Sequence, residues 1–118
     1  MTEAKGNKKQ EAAERVHPSA PKGKLADHEV EALKAKHGEV FELTVDGSAC
    51  YLRRPNRKEL SAASALGTAD PMAFNESLLA DCWLAGDEAI KTNDWLFLAA
   101  CKELPALIET KVAELKKR

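Results

Sequence analysis

The clearest local pattern in the chain is a pair of short alternating segments separated by an Asp-Gly dipeptide. Phe41, Leu43 and Val45 alternate with polar residues ahead of this dipeptide, and residues 48–53 follow it. β-Branched and aromatic residues favour strands, and Asp-Gly favours the type I′ turn that joins two antiparallel strands. The pattern predicts a β-hairpin over residues 40–45 and 48–53. Because a lone hairpin is only marginally stable in water, we expect helices to cover it or a second molecule to extend it.

Side chains that can cap a helix mark the start of each predicted helix. Such side chains accept hydrogen bonds from first-turn N–H groups, and a proline at the first helical position sacrifices no hydrogen bond. Asp27 precedes a predicted helix over 28–37 that ends at Gly38, and Asn56 with Glu59 precedes a helix that ends near Gly67. Asp70-Pro71 precedes a helix that ends near Leu84, and Asn93-Asp94 precedes the next helix.

Apolar side chains recur at a helical period in the last third of the chain. The helix after Pro71 carries Phe74, Leu78, Cys82 and Trp83, with Leu79 at the edge of the stripe, and Gly86 is expected to end it. The helix after Asn93 carries Trp95, Leu98, Ala99 and Cys101. Pro105 then either kinks that helix or begins a fresh one, whose stripe is Leu107, Ile108, Val112 and Leu115.

Residues 1–25 differ in composition from the rest of the chain. Their apolar content is Ala with one Val and one Leu, and Pro and Gly interrupt them. So little apolar surface cannot offset the entropy of ordering, which predicts a disordered arm with at most a marginal helical piece over 8–15. Residues 26–118 are then a single, mostly helical α+β domain, a β-hairpin followed by a bundle of three to four helices. The absence of strand and helix alternation excludes a parallel nucleotide-binding fold.

The composition narrows the class of protein. The 118 residues are 44% hydrophobic and 31% charged, with a formal net charge of -1. This balance predicts no attraction of the whole chain to nucleic acid. No apolar stretch approaches the roughly 20 residues of a membrane-spanning helix, and no secretory signal is recognisable. We therefore expect a cytoplasmic protein without membrane contact.

The residue types that usually carry chemistry are present without the spacing that chemistry needs. Cys50, Cys82 and Cys101 are widely spaced and are interpreted as reduced core residues, since no His lies close in sequence to activate Cys82 or Cys101 as a thiolate. His28-Glu29 and His37 do not form the HExxH spacing of a zinc site.

The remaining candidate groups are interpreted as structural. Asp81, Asp87 and Glu88 surround Gly86 and are interpreted as helix or turn caps. No phosphate-binding glycine loop and no nucleophile motif occurs in the sequence. We therefore expect no catalytic residue, metal or cofactor.

Large apolar residues in the C-terminal half of the chain are the candidates for binding another protein. Residues 95–98 read Trp-Leu-Phe-Leu, and a helix cannot bury four consecutive side chains on one face. We therefore predict that Trp95 or Phe97 is partly exposed. The candidates for binding another protein are Trp83, Trp95, Phe97 and Leu98, and the alternative is that each belongs to the core.

One basic cluster follows the hairpin. It consists of Arg53, Arg54, Arg57 and Lys58 and could meet the phosphates of a nucleic acid. The alternative is a solvated junction between strand and helix. We favour that alternative because the surrounding domain is acidic and aromatic residues, at 5% of the chain, offer few platforms for stacking bases.

Four segments carry a resemblance to a known family. They are VFELTVDGSACYLRRP, NRKEL, DPMAFNESLLADCWLAGD and LPALIETKVAELKK, and they lie within the run from Gly38 to Lys117. In this combination they resemble the small tail assembly chaperones encoded by tailed phages and prophages. The resemblance implies a protein of the host cytoplasm that holds a long, helical tape-measure protein before tail assembly, and a homo-oligomer is compatible with it. Residues 1–24 hold six basic residues against three acidic ones, and in the nucleic-acid alternative this basic arm would act together with the cluster from Arg53 to Lys58. The arm departs from the compact start expected of the tail assembly chaperones.

Overall fold

The computed structural model describes residues 20–109 and 112–118, and it confirms the predicted α+β class. Its elements in chain order are α1 (Asp27–His37), β1 (Val40–Val45), β2 (Ser48–Arg53), α2 (Arg57–Ala69), α3 (Pro71–Cys82), β3 (Trp83–Gly86), α4 (Ala89–Thr92), α5 (Asp94–Cys101) and a 3-10 helix (Leu104–Ile108).

The hairpin forms over the predicted residues. β1 and β2 pair antiparallel, from Val40 opposite Arg53 to Val45 opposite Ser48. The turn between them has positive φ at both central residues, 42° at Asp46 and 82° at Gly47. This is the backbone that a type I′ turn requires, and it confirms the predicted role of the Asp-Gly dipeptide.

A third strand replaces the end of one predicted helix. α3 stops at Cys82, and β3 pairs antiparallel with β2 to give a sheet of order β1-β2-β3. The prediction that α3 continues to Leu84 and ends at Gly86 is therefore wrong. A short apolar run fits a buried helix and a buried strand equally well, and only pairing with the distant β2 decides between them.

The central strand β2 is covered on both faces. Cys50 and Leu52 point into the core, while Ala49 and Tyr51 on the other face have no exposed surface. That second face is covered partly by the chain at residues 21–25. These residues were expected to belong to the disordered arm, and their hydrogen bonds to the sheet correct that boundary.

Backbone hydrogen bonds and one bond to a buried hydroxyl hold this leading segment to the sheet. The backbone N–H of Lys22 donates to the carbonyl of Gly47 at 2.9 Å, and the N–H of Ala49 donates to the carbonyl of Lys22 at 2.7 Å. The N–H of Leu25 donates to the Tyr51 hydroxyl at 3.0 Å. The segment therefore satisfies a backbone donor of β2 and a buried phenol, which would otherwise be costly to bury. The helical piece predicted over 8–15 lies outside the described residues.

Helices α3 and α5 and the 3-10 helix pack against the inner face of the sheet. The core they form consists of aliphatic, aromatic and cysteine side chains, which bury apolar surface at roughly 25 cal/mol per Å². Its members are Leu43, Val45, Cys50, Leu52, Leu78, Leu79, Cys82, Ile90, Phe97, Ala100, Leu104 and Leu107.

Most of the predicted helix starts are confirmed. Asn56 and Glu59 form the reciprocal capping box, with distances of 2.8 and 2.9 Å between side-chain oxygen and backbone nitrogen. Asp70 and Asn93 cap α3 and α5. α1 differs, because Asp27 is its first helical residue and not its N-cap. The N–H of Ala26 is instead satisfied by the Glu29 carboxylate at 2.8 Å.

The predicted C-terminal helix is largely absent. Pro105 lies in the 3-10 helix, Leu107 is buried and Ile108 half-buried, but Val112 and Leu115 are fully exposed and residues 112–118 have no regular secondary structure. The Arg54 guanidinium donates to the carbonyls of Leu107 and Glu109, at 3.1 and 2.9 Å. These carbonyls would accept hydrogen bonds from the next turn of an α-helix, so Arg54 competes with its continuation.

No helix in the part of the chain that the structure describes combines the length and the apolar character that crossing a bilayer demands.

Candidate functional site

The exposed side of α5 carries large apolar side chains. Trp95 is 78% exposed and Leu98 37% exposed, and Ala99 is exposed beside them. The buried side of the helix carries Phe97 and Ala100. The exposure predicted for Trp95 is confirmed, whereas the stripe of Trp95, Leu98 and Ala99 faces solvent and not the core.

A cleft between α5 and the first turns of α3 enlarges this surface. Met72, which is 38% exposed, lines it together with Trp95, Phe97 and Leu98, and its volume is about 280 Å³. Glu76 and Asp94 place carboxylates on its rim. We call the surface formed by Met72, Trp95, Leu98 and Ala99 the α5 face.

Two of the four predicted protein-binding residues are not part of the α5 face. Phe97 is 9% exposed and belongs to the core, so it supports the α5 face from beneath. Trp83 lies on β3, half-buried against the core, and the Lys91 ammonium sits 4.5 Å from the centre of its ring. This cation–π contact occupies one face of the indole. Trp95 and Leu98 therefore remain as surface candidates, and Met72 joins them. The sequence did not predict Met72, because the Asp70-Pro71 pair before it indicates only the start of a helix and not which of its side chains are exposed.

The predicted basic cluster is divided by internal contacts. Arg53 makes a bidentate ion pair with Glu59, with both distances at 2.8 Å, and also donates to the Asp81 carbonyl at 2.7 Å. It joins the end of β2 to the first turn of α2 and the end of α3. The guanidinium is therefore largely committed to intramolecular hydrogen bonds.

Arg54 is committed in the same way. Its Nε donates to Glu39 at 2.7 Å, its Nη1 donates to the carbonyls of Leu107 and Glu109, and its guanidinium lies 5.2 Å from the centre of the Phe41 ring. Only Arg57 and Lys58 of the predicted cluster are exposed. Arg53 and Arg54 thus hold elements of the fold together. Fewer positive charges are therefore available to bind the phosphates of a nucleic acid.

The Arg53–Glu59 pair makes the stability of the domain depend on pH. The Arg53 guanidinium lowers the pKa of Glu59 to about 2, helped by the hydrogen bond from the Asn56 N–H. Because the folded pKa lies below the ordinary value of about 4.3, the contribution is fully present above that pH and is lost as pH falls towards 2.

We expect Glu59→Gln to lower the free energy of unfolding at pH 7 by about 1–2 kcal/mol, because it removes a partly buried charge-assisted pair. Its stability should also fall less steeply than that of the parent chain between pH 5 and pH 2. Urea denaturation at a series of pH values measures both effects. The matched control is Glu31→Gln, which breaks an exposed pair with Lys34 and should cost under about 0.5 kcal/mol. Equal losses in the two variants would contradict the structural role of Glu59.

The interpretation of the carboxylates near Gly86 as caps is confirmed for Asp87, whereas the Glu88 carboxylate pairs with Lys91 at 2.8 Å and makes no capping hydrogen bond. The two side-chain oxygens of Asp87 accept from the Ala89 N–H at 3.0 Å and from the Ser48 hydroxyl at 2.7 Å. These hydrogen bonds lower the pKa of Asp87, with the Ala89 N–H as the larger cause. The carboxylate is therefore held ionised in a structural role that ties β2 to α4.

The three cysteines are free thiols with little nucleophilic character. Burial raises the pKa of Cys50 to about 12 and that of Cys82 to about 11, and it also raises the pKa of the half-buried Cys101. The nucleophilic form of a cysteine is the thiolate, which these environments disfavour. The arrangement supports the interpretation of the thiols as core residues.

We expect one fast and two slow thiols when the native protein meets an alkylating reagent at pH 8. Cys101 should react first, and Cys50 and Cys82 at least about 100-fold more slowly, since the core must open to expose them. Mass spectrometry of digested samples taken over time measures the three rates. Cys101→Ser should abolish only the fast phase. Rapid labelling of Cys82 would contradict its burial.

Within residues 20–109 and 112–118, no group of three or more His, Cys, Asp or Glu side chains is arranged to hold a metal ion. The cleft beside α5 is open to solvent, and the α5 face has an apolar floor with two carboxylates at its edge. Such a surface can bury apolar side chains of another molecule and attract positive charge near them.

Comparison with known proteins finds a similar fold and no protein of assigned function. No protein-family model matches the chain, and no curated protein matches it. A solved structure of an uncharacterised protein from Bacillus stearothermophilus is similar, with a TM-score of 0.54 and 20% sequence identity. The match covers 75% of this chain and 99% of that one. At this identity the similarity extends to the fold alone.

Proposed function

We propose that this protein is a non-catalytic binding factor that holds a helical polypeptide on its α5 face, like a phage-tail assembly chaperone that holds a tape-measure-type protein before tail assembly. The observation that carries the proposal is the 78% exposure of Trp95 beside Leu98 and Met72. A location in the host cytoplasm follows from the same proposal.

The composition of the α5 face suits an interface. Isolated exposed apolar residues are common, but here a tryptophan, a leucine and a methionine border the same cleft. Tryptophan is enriched among the residues that dominate binding energy, and a flexible methionine adapts to different partner side chains. An amphipathic helix with apolar residues on one face is the class of ligand that such a groove takes.

The rim of the cleft indicates the charge of the partner. Glu76 and Asp94 both line it, so positively charged residues that flank the apolar stripe of a partner helix would be favoured. Exposed charges of this kind raise the rate of association more than the affinity, which suits a holding factor that must later release its partner.

The sequence resemblance to tail assembly chaperones supports the same proposal, as it includes the hairpin and the segment from Asp70 to Asp87, which contains α3 and β3. The alternative of a small nucleic-acid-associated protein has less support. Arg53 and Arg54 are held by Glu59 and Glu39, and the exposed pair Arg57 and Lys58 is a small basic surface. Binding to DNA at about 50 mM salt that is lost by about 200 mM would favour that alternative.

A light-scattering assay tests the proposed function. A recombinant fragment of a tape-measure protein aggregates when it is diluted from denaturant, and an equimolar amount of this protein is expected to suppress that aggregation. A globular protein that aggregates under the same conditions serves as the control client and should be protected much less. Equal protection of both clients, or of neither, would contradict the proposal.

A further inference from the structure

A second apolar groove lies between strand β1 and the 3-10 helix. Phe41 and Leu43 form one side, Leu104 and Leu107 form the other, and the volume is about 150 Å³. A wider cleft of about 560 Å³ adjoins it along the same strand, from Glu42 to Asp46, opposite Ala99 and Glu103. We call the two together the β1 groove. The β1 groove and the α5 face share one residue, Ala99.

One wall of this groove is the open edge of the sheet. β1 pairs with β2 alone, so its other side has no strand neighbour among the described residues. Ala49 directs its N–H and carbonyl away from β1, towards Lys22 and Asp87. Thr44 lies opposite Ala49 on β1, so its N–H and carbonyl must point towards the open edge. Hydrogen-bonding direction alternates along an antiparallel strand, so the backbone groups of Glu42, two residues earlier, point the same way.

The rim of the β1 groove is acidic. Asp46 and Glu103 line it with exposed carboxylates. Glu42 adds a third, paired at 2.8 Å with the partly exposed Lys24. The groove therefore offers backbone groups that no strand of the described residues pairs, an apolar floor and negative charge, which is the combination that receives an extended basic peptide as an added strand.

The segment Val112–Arg118 of the same sequence has the complementary properties. Its side chains are exposed, Val112 and Leu115 fully so, and it has no regular secondary structure. Three basic residues, Lys116, Lys117 and Arg118, end it. In an extended conformation Leu115 and Lys117 fall on one face and Glu114 and Lys116 on the other, since successive side chains alternate. Leu115 then meets the apolar floor, and Glu114 and Lys116 meet the Lys24–Glu42 pair.

We propose that the β1 groove binds the segment Val112–Arg118 of a second copy of this chain as an added strand. Within its own chain the segment follows the 3-10 helix that forms one wall of the groove, and only residues 109–111 separate Ile108 from Val112. Arg54 fixes the carbonyl of Glu109, and the segment beyond lies outside the groove with every side chain exposed.

The contact joins two different surfaces, a groove on one copy and a segment on the next. Such a heterologous contact leaves one groove and one segment free at the ends of every assembly, so it produces chains of copies whose length grows with concentration. An isologous dimer, in contrast, would stop at two copies. The proposal does not depend on the α5 face.

Sedimentation velocity of the full chain, from about 10 µM to about 1 mM, tests the association. The weight-average mass is expected to rise with concentration above the 12.9 kDa of one copy. Leu115→Asp, which alters the segment, and Glu103→Lys, which alters the groove, should each remain monomeric. Leu66→Asp, at a 53% exposed leucine of α2 that lines neither groove, is the matched control and should associate like the parent chain.

Mixing the two defective variants distinguishes this arrangement from others. The Leu115→Asp variant keeps an intact groove and the Glu103→Lys variant keeps an intact segment, so an equimolar mixture should form dimers and nothing larger. The proposal would be overturned by association that Leu115→Asp leaves unchanged. A protein that stays monomeric at all concentrations would also overturn it. This includes the case in which the segment Val112–Arg118 occupies the β1 groove of its own chain.

Discussion

Replacing Trp95 with Ala is expected to weaken binding of a tape-measure fragment by about 30-fold or more, corresponding to at least about 2 kcal/mol, while the free energy of unfolding changes by less than about 0.5 kcal/mol. The side chain is 78% exposed, so the folded monomer gains little from it, and alanine is the best helix former for the vacated position on α5. A central aromatic residue that becomes buried only in a complex affects affinity without affecting stability.

Titration of the labelled fragment, followed by fluorescence anisotropy, measures this change. Leu66→Ala serves as the matched control, because Leu66 is also an exposed apolar residue of a helix but lies outside the α5 face. The control should bind like the parent chain, and urea denaturation should show all three proteins to be similarly stable. If Leu66→Ala and Trp95→Ala weakened binding equally, the α5 face would not be the binding site.

Replacing Gly86 with Ala is expected to cost about 3 kcal/mol or more of folding stability. A Cβ atom at this position would lie 2.4 Å from the Cα of Cys50, and φ is +139°. Neither the backbone of β2 nor a rotamer change can relieve that overlap, so β3 would have to separate from the sheet. The domain is then expected to unfold at markedly lower urea concentration.

Gly38→Ala is the control for backbone conformation. Gly38 also has positive φ, +83°, but a Cβ there would have no neighbour within 4 Å. It should cost less than Gly86→Ala, about 1–3 kcal/mol, because φ +83° with ψ −121° is a conformation that only glycine adopts without strain. Urea denaturation of both variants separates the steric cost from the conformational cost. Equal losses would contradict the close packing of β3 on β2.

The parts of the fold that follow from near neighbours were predictable from the sequence. Asp46-Gly47 specifies its own turn, and Asn56 with Glu59 specifies the start of α2, because each motif satisfies its hydrogen bonds within a few residues. The third strand was not predictable, since residues 83–86 acquire their conformation from hydrogen bonds to β2, more than 30 positions earlier.

The candidate site was predictable in part for the same reason. The sequence indicates that four consecutive bulky residues cannot all be buried, and Trp95 is indeed exposed. It does not indicate which face of α5 is buried, because the helix is apolar on nearly all sides and only contact with the core selects Phe97 and Ala100. For the basic cluster, the sequence could not show that Arg53 and Arg54 donate hydrogen bonds to carbonyls on distant elements.

The most direct test of the central proposal is hydrogen–deuterium exchange of the full chain with and without a tape-measure fragment. We predict that binding slows exchange in α5, from Asp94 to Cys101, and in the first turns of α3 near Met72. Exchange around Arg57 and Lys58, at the start of α2, should not change. Slower exchange at the start of α2 without any change in α5, or no change anywhere at saturating fragment, would contradict the account.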